Sequence, residues 1–143
     1  MEFCEKGTLT SLLEKRKLDS LLKLKIALDC AHGMNFLHQS GILHRDLKPD
    51  NLLVVSTSIK SPVRVKLTDF GSSRSVTEVG ERQKTKGVGT PVYMAPEQLK
   101  GEEYSFPSDV FAFGVNLWQI WNQKSPFLSF FFFEKALLTF FSS

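Results

Sequence analysis

Two short segments in the middle of the chain, residues 44–51 and 69–71, carry side chains that could take part in catalysis or bind a metal ion. The first run, from His44 to Asn51, places the carboxylate of Asp46 and the ammonium of Lys48 two positions apart, so that both project to one side of an extended segment. A carboxylate at such a loop is suited to accept and orient the proton of a hydroxyl, and an ammonium acts as a point charge for an anion. The amide oxygen of Asn51 and the carboxylate of Asp69, in the second run, are oxygen ligands of the kind that Mg²⁺ prefers.

Each of these residues, taken singly, also has an ordinary structural interpretation. Asp46 or Asn51 alone is more often a turn residue, and Asp69 alone is a strand-end cap. Phe70 alone is a core residue, and so is His44, which has no second metal ligand nearby in the sequence. The functional interpretation therefore depends on the combination of motifs.

A third motif supplies that combination. The run His-Arg-Asp-Leu-Lys-Pro-Asp-Asn at 44–51 and the triplet Asp-Phe-Gly at 69–71 are followed by Gly-Thr-Pro-Val-Tyr-Met-Ala-Pro-Glu at 89–97. With these three motifs in this order, the chain resembles a eukaryotic protein kinase from Met1 to about Pro126. The resemblance implies an α+β fold, namely the mainly helical C-terminal lobe of the kinase fold with a short β-hairpin. The spacing of Lys48 from Asp46 and the Gly-Thr pair resemble the serine/threonine type, and residues 92–94 resemble the tyrosine-kinase-like group.

The resemblance also implies a reaction and its residues. It implies transfer of the γ-phosphate of ATP to serine or threonine hydroxyls of protein substrates, with Asp46 as base and Lys48 at the phosphate. Asn51 and Asp69 would bind Mg²⁺. The residues implied to contact ATP are Glu2, Cys4, Leu53 and Asp69. The residues implied to support the site structurally are His44, Phe70, Gly71, Thr90, Glu97 and Asp109. Asp109 would accept N–H bonds from the backbone of the catalytic loop (residues 44–51), or serve simply as a carboxylate favoured by the helix dipole.

Regulation is implied for the activation segment, which runs from Asp69 to Glu97. Arg45 resembles the residue that pairs with a phosphate on this segment in many kinases. Thr85 is the best-placed acceptor for an upstream kinase, with Ser75 and Thr77 behind it, and a phosphate there would order the segment through charge-assisted hydrogen bonds. The alternative is that these hydroxyls merely solvate a loop.

The elements that must position these residues can be predicted from periodicity. Apolar residues at three- and four-residue intervals predict a helix that begins at Asp19-Ser20 and ends before Gly41, with Lys25, Asp29 and His32 on a solvated face. Segments 52–55 and 63–67 predict a hairpin, and residues 72–90 predict a long loop. A second helix is predicted from Ser108-Asp109 to about Trp121, and because it is apolar on nearly all sides we expect it to be buried.

Both ends of the chain depart from the kinase pattern. Residues 1–9 resemble the hinge between the kinase lobes, so the small lobe with its glycine-rich loop and strand lysine is expected to be absent. Glu97 lacks its expected arginine partner, because none of the five arginines lies beyond Arg82. Residues 127–143 form an atypical Phe-rich tail after a kinase domain at 1–126. The tail indicates an incomplete gene model, a substitute core helix or, less favoured, a membrane anchor. The alternative function is therefore a catalytically incompetent binding module, and we expect no turnover from these 143 residues alone.

Composition excludes several other classes. A net charge of +3 is too small to argue for a nucleic-acid partner. Two cysteines, Cys4 and Cys30, cannot make a disulfide-rich scaffold or a zinc ribbon. No signal peptide is visible, and no apolar run approaches the ~20 residues of a spanning helix, so a cytoplasmic protein without a membrane span is expected.

Overall fold

The structure, a computed structural model, describes residues 6–75, 89–102 and 105–126. Within these ranges, the helices are α1 (Leu9–Lys15), α2 (Ser20–Gln39), α3 (Pro96–Lys100) and α4 (Phe106–Asn122). The strands are β1 (Ile42–Leu43), β2 (Leu52–Val54), β3 (Val65–Leu67) and β4 (Arg74–Ser75). Single 3-10 turns lie at Pro49–Asn51, Phe70–Ser72 and Pro91–Tyr93. The predicted mainly helical α+β fold is confirmed.

Helix α2 forms as its sequence predicts. Asp19 caps it by accepting the backbone N–H of Leu22 at 2.9 Å, which satisfies one of the free donors of the first turn. Its buried face consists of the five residues predicted by the apolar spacing, Leu22, Ile26, Cys30, Met34 and Leu37. Cys30 is a free thiol, and its burial raises its pKa to about 12, with the charge of Asp29 adding to the effect.

The hairpin of β2 and β3 packs against α2 and corrects one expectation. The predicted hairpin is present, and its strands pair antiparallel with Leu52 opposite Leu67 and Val54 opposite Val65. Asp29 was expected on a solvated face, but its side chain is only 10% exposed and lies 3.3 Å from the Arg64 guanidinium, which is 8% exposed. Asp29 also accepts the backbone N–H of Arg64 at 2.6 Å. The expectation fails because the hairpin covers this part of α2. The Asp29 carboxylate then serves as the acceptor for the backbone N–H and the guanidinium of Arg64.

The predicted loop at 72–90 is partly wrong. Residues 74–75 form β4, which pairs antiparallel with β1 and places Ser75 opposite Ile42. Residues 76–88 of that segment lie outside the described residues. A strand of two residues is too short to show a periodic pattern in the sequence. Strand β4 can therefore be recognised only from its pairing with β1 in the structure.

Helix α4 begins at Phe106, two residues before the predicted start, and ends at Asn122. Its burial among the described residues is uneven, and the expectation that it lies buried in something larger stays a prediction. Its buried positions include four polar residues, Ser108, Asp109, Asn116 and Gln119. The large apolar residues Val110, Phe111, Leu117, Trp118 and Trp121 are exposed instead. The polar side faces inwards because its groups bind the catalytic loop and the segment after Thr90, as described below.

Candidate active site

Asp109, in the first turn of α4, holds the backbone of the catalytic loop by accepting two hydrogen bonds. The Asp109 carboxylate is buried, and its Oδ2 accepts the backbone N–H of His44 at 2.8 Å. Its Oδ1 accepts the backbone N–H of Arg45 at 2.9 Å. This is the contact that the family resemblance implied for Asp109, and it coincides with a helix N-terminus, where a carboxylate is also favoured by the dipole.

Arg45 needs such support because its backbone is strained. Its φ of 73° lies in the left-handed region that non-glycine residues rarely adopt. Such a conformation costs roughly 1–2 kcal/mol and persists only where the surroundings enforce it. The bond from the Arg45 N–H to Asp109 is one such constraint, and the side chain of Arg45 is buried.

His44 joins the catalytic loop to the segment that carries Asp69. Its side chain is fully buried, and its Nε2 lies 3.1 Å from the carbonyl oxygen of Thr68, to which it donates. Its ring also packs against Phe70 with 5.8 Å between the centroids. The His44 side chain therefore links the catalytic loop to the segment at residues 68–70.

Asp46, Lys48 and Asn51 meet in one hydrogen-bonded cluster with Thr90. The Lys48 Nζ lies 2.8 Å from Asp46 Oδ2 and donates to the Thr90 hydroxyl at 2.8 Å. Thr90 in turn donates to Asp46 Oδ1 at 3.0 Å. The Asn51 Nδ2 donates to the Asp46 backbone oxygen at 2.8 Å and to its Oδ2 at 3.2 Å. Two residues of the same loop and one from a segment about forty positions away thus surround the Asp46 carboxylate.

This cluster sets the protonation of Asp46. Burial raises the pKa of the Asp46 carboxyl, but hydrogen bonds from Lys48, Thr90 and Asn51, together with the charge of Lys48, outweigh burial and lower the pKa below its ordinary value. The carboxylate is therefore ionised throughout the physiological range.

Thr90 is fixed in place by its neighbours on both sides. A Cβ on Gly89, whose φ is 112°, would lie 2.9 Å from the Arg45 carbonyl oxygen, so only glycine lets the segment pass this close to the catalytic loop. On the other side, the Tyr93 hydroxyl donates to Gln119 Oε1 of α4 at 2.5 Å. Burial raises the pKa of Tyr93 to about 12, so the hydroxyl stays protonated and remains a donor.

Asp69 lies at the same end of the hairpin as Asn51 but outside the hydrogen-bonded cluster. The N–H of Thr68 donates to the Asn51 carbonyl at 2.9 Å, which extends the β2–β3 register by one residue towards Asp69. Asp69 itself is exposed, adopts a left-handed φ of 60°, and accepts the N–H of Gly71 at 3.4 Å.

The donor set fits a magnesium ion that is completed by a nucleotide. The hydrogen bonds described for the Asn51 side chain use its NH₂ group, so its Oδ1 is the atom suited to a cation. Asp69 contributes an exposed carboxylate nearby. In the part of the chain that the structure describes, no group of three or more His, Cys, Asp or Glu residues could hold a metal alone. One or two protein oxygens plus substrate phosphates are the usual set for Mg²⁺.

The remaining residues named from the sequence are placed as follows. Glu97 is half-buried and accepts a hydrogen bond from the Ser108 hydroxyl at 2.7 Å. Leu53 is half-buried and forms a β-bridge with Thr8, near the end of the hinge-like segment at residues 1–9. Ser75 is half-buried in β4. Residues 2, 4, 77 and 85, predicted as ATP contacts or phosphorylation sites, lie outside the described residues, as does the tail at 127–143.

Two residues that support the site were missed from the sequence. His38, at the end of α2, places its Nε2 3.0 Å from Asp109 Oδ2 and stacks at 4.6 Å on Phe106. Asn116 donates to the backbone oxygen of Leu47 at 3.0 Å and so holds the centre of the catalytic loop. Asn116 left a signal, since it is a polar residue two turns after Asp109 and directly follows an apolar run, residues 110–115. His38 left none, because its partner is 71 residues away.

An α+β unit that gathers an aspartate, a lysine and an asparagine on one loop, with a second aspartate after the adjoining strand, is typical of the large lobe of a protein kinase domain. The family model for the protein kinase domain matches residues 1–131, and the chain belongs to the protein kinase family.

Curated relatives support the same family and show how much of each protein is covered. The chain is 46% identical over 129 residues to "Probable serine/threonine-protein kinase gdt8" of Dictyostelium discoideum, which covers 88% of the chain and 9% of that protein. It is 45% identical over 105 residues to "Probable serine/threonine-protein kinase gdt9" of the same organism, covering 73% and 7%. It is 38% identical to "Serine/threonine/tyrosine-protein kinase HT1" of Arabidopsis thaliana, covering 88% and 31%. The chain thus spans less than a third of the length of these relatives. Among the described residues, no helix is long and apolar enough to cross a membrane.

Proposed function

We propose that this domain transfers the γ-phosphate of ATP to serine or threonine hydroxyls of protein substrates. The observation that carries the proposal is the Asp46 carboxylate, which is held ionised at the tip of the catalytic loop by Lys48, Thr90 and Asn51. The names of the relatives, which include serine/threonine kinases and one dual-specificity kinase, agree with hydroxyl substrates.

Asp46 is suited to orient the attacking hydroxyl. A carboxylate offers about four lone-pair positions. Three donors occupy part of this capacity, so the carboxylate can still accept an incoming hydroxyl. Because its pKa is lowered, Asp46 is a weak base. Its task is to align the hydroxyl and to take its proton late, which suits a transition state that needs positioning more than covalent chemistry.

Lys48 and Thr90 set the geometry around that hydroxyl. The Lys48 ammonium neutralises Asp46 and remains a cation beside the position where the phosphoryl group would arrive. Thr90 bridges both side chains, so the order of the segment that carries it is coupled to the position of the base. Asn51 and Asp69 would hold Mg²⁺, which when bound neutralises charge on the nucleotide phosphates.

The test is phosphate incorporation from labelled ATP into a serine- and threonine-containing protein, measured with the chain and with any longer natural protein that contains it. Asp46→Asn keeps the shape but removes the base, and we expect a loss of about 10²–10⁴-fold in rate. Asp69→Ala should abolish the Mg²⁺-dependent rate. Glu14→Gln, an exposed carboxylate on α1, is the matched control and should leave the rate unchanged.

The outcome separates the two functions that the sequence left open. Turnover that Asp69→Ala removes would reject a binding module without catalysis. A wild-type rate in Asp46→Asn would refute the role proposed for that residue. If neither the chain nor the longer protein shows turnover while both remain folded, the binding-module alternative is favoured.

A further inference from the structure

The net positive charge of the chain is concentrated where the C-terminal ends of α1 and α4 meet the start of α2. Five basic residues, which we call the basic cluster, lie in residues 14–24 and 121–124: Lys15, Arg16, Lys17, Lys23 and Lys124. The same two segments contain two acidic residues, Glu14 and Asp19. Because the chain has 18 basic and 15 acidic residues in all, its whole surplus of three positive charges lies in these segments.

Hydrogen bonds bring these segments together although they are about a hundred positions apart in the sequence. The Gln123 Nε2 donates to the carbonyl oxygen of Arg16 at 2.7 Å, and Lys124 follows Gln123 directly. The Lys23 Nζ donates to the carbonyl oxygen of Trp121, in the last turn of α4, at 2.8 Å. The fold therefore places the cations of the basic cluster on one surface.

Most of this charge has no counter-charge in the part of the chain that the structure describes. Residues 15–17 and Lys124 are exposed, and their side chains form no hydrogen bond or ion pair with other described residues. A helix C-terminus favours nearby cations, which accounts for Lys15 in the last turn of α1. It does not account for three consecutive cations placed beside a fourth, because like charges gathered together repel one another. An anionic partner would relieve this repulsion.

An exposed indole ring lies beside the basic cluster. Trp121 is 56% exposed, and the Lys23 Nζ lies 5.9 Å from the centroid of its ring. Tryptophan is enriched where a membrane meets water, and basic side chains next to it are attracted by anionic headgroups. Lipid headgroups also move laterally, so they can meet cations that come from separate segments without any fixed spacing. This combination of residues favours a membrane surface as the anionic partner.

We propose that the basic cluster and Trp121 bind the surface of a membrane that contains anionic phospholipids. The cations contact the headgroup phosphates and carboxylates, and the indole ring lies at the level of the headgroups. This function goes beyond phosphate transfer and does not depend on it, since binding can be measured without ATP or a protein substrate.

Co-sedimentation of the 143-residue chain with phosphatidylcholine vesicles, with and without phosphatidylserine, tests the proposal. Each basic residue near an anionic membrane strengthens binding by roughly fivefold, so a net charge of three predicts a preference of about 100-fold for the anionic vesicles. Tryptophan emission should shift to shorter wavelength on binding. Raising the salt from 0.1 M to 1 M shortens the screening length from about 10 Å to about 3 Å and should weaken the preference.

Two triple variants remove the same amount of charge from different places. Replacing Arg16, Lys17 and Lys124 by Gln leaves the two segments with no net charge and should abolish the preference for anionic vesicles. Replacing Lys6, Lys60 and Lys100 by Gln, all of which are exposed, should change it by less than about threefold. Far-UV circular dichroism checks that both variants keep their helices.

A charge-preserving variant keeps the test valid if the first triple variant loses its fold. Arg16→Lys, Lys17→Arg and Lys124→Arg together should bind as the wild type does. Loss of binding in this variant would overturn a mechanism based on charge.

Three results would overturn the proposal. Equal binding to neutral and anionic vesicles would mean that apolar residues, such as those in the Phe-rich sequence 127–143, bind the membrane instead. Equal losses in the two Gln variants would mean that total charge matters and the basic cluster does not. Release from the vesicles by inositol hexakisphosphate, an acidic peptide or single-stranded DNA at the same concentration of negative charge would assign the basic cluster to that anion.

Discussion

Asp109→Asn is the substitution that most directly tests how the fold supports the catalytic loop. The Asp109 carboxylate accepts three hydrogen bonds, from the backbone N–H groups of His44 and Arg45 and from the His38 ring, at 2.8–3.0 Å. Asparagine has the same shape but replaces one accepting oxygen by an NH₂ group. At least one buried donor then faces another donor.

The magnitude follows from these contacts. The least damaging rotamer keeps the amide oxygen at the Oδ2 position, where it still accepts from His44 and His38. The Arg45 N–H then loses its charge-assisted bond, and leaving a buried donor unsatisfied costs about 1–3 kcal/mol, more when the lost partner is charged. We therefore expect the free energy of unfolding to fall by about 2–4 kcal/mol, a large part of a typical total of roughly 5–15 kcal/mol. The left-handed φ of Arg45 should relax at the same time, since this bond constrains it.

Urea unfolding followed by far-UV circular dichroism measures the global change, and amide hydrogen exchange at His44 and Arg45 measures the local one. Glu14→Gln, which removes an exposed carboxylate, should change the stability by less than about 0.5 kcal/mol. If Asp109→Asn stays within that range and both amides exchange at wild-type rates, Asp109 does not hold the loop and the reasoning fails.

Three further perturbations test other parts of the structure. Because the folded pKa of Asp46 is lowered, its contribution to stability is full above the ordinary aspartate value of about 3.9 and is lost as the pH falls through the lower folded value. Urea midpoints of the wild type and Asp46→Asn should therefore differ at neutral pH and converge as the pH falls below about 3.9, and a constant difference would contradict the shift. Gln123→Gly relieves a left-handed residue by about 1 kcal/mol but removes side-chain bonds to Leu13, Arg16 and Leu18, each worth about 0.5–1.5 kcal/mol. Thermal unfolding should show a net loss of about 0.5–3.5 kcal/mol, whereas a gain would mean that these bonds contribute less than the relief of the left-handed residue. Arg64→Met leaves Asp29 as an unpaired buried charge and should cost about 3–5 kcal/mol in denaturant unfolding. The double variant with Asp29→Asn should recover part of that loss, and purely additive losses would show that the two side chains do not interact.

The parts of the fold that could be predicted are those whose signals are local. Helix α2 carries its cap and five core positions within its own sequence, so periodicity located it within one residue. The β2–β3 hairpin was found because its strands alternate and its loop is polar. The Asp29–Arg64 pair was missed because neither residue signals burial, and only the hairpin packed on α2 removes both from water.

The candidate site divides in the same way. Asp46, Lys48 and Asn51 lie within six positions, so their meeting follows from one loop. Thr90 enters the cluster from 44 positions away, and a motif resemblance named it without indicating that it bridges Asp46 and Lys48. His38 could not be found because a histidine on a helix has no sequence pattern that identifies a distant carboxylate as its partner.

Helix α4 shows why the composition of a helix does not say which of its sides is buried. A strained loop backbone needs buried acceptors and donors beneath it, and α4 supplies them through Asp109 and Asn116, which forces its polar side inwards. The opposite side of the helix carries Val110, Trp118 and Trp121, which are exposed. The two sides share one backbone, so a displacement of the helix would move Asp109 relative to the Arg45 N–H. Substitutions at these exposed positions that displace the helix should therefore alter the hydrogen exchange of the Arg45 amide.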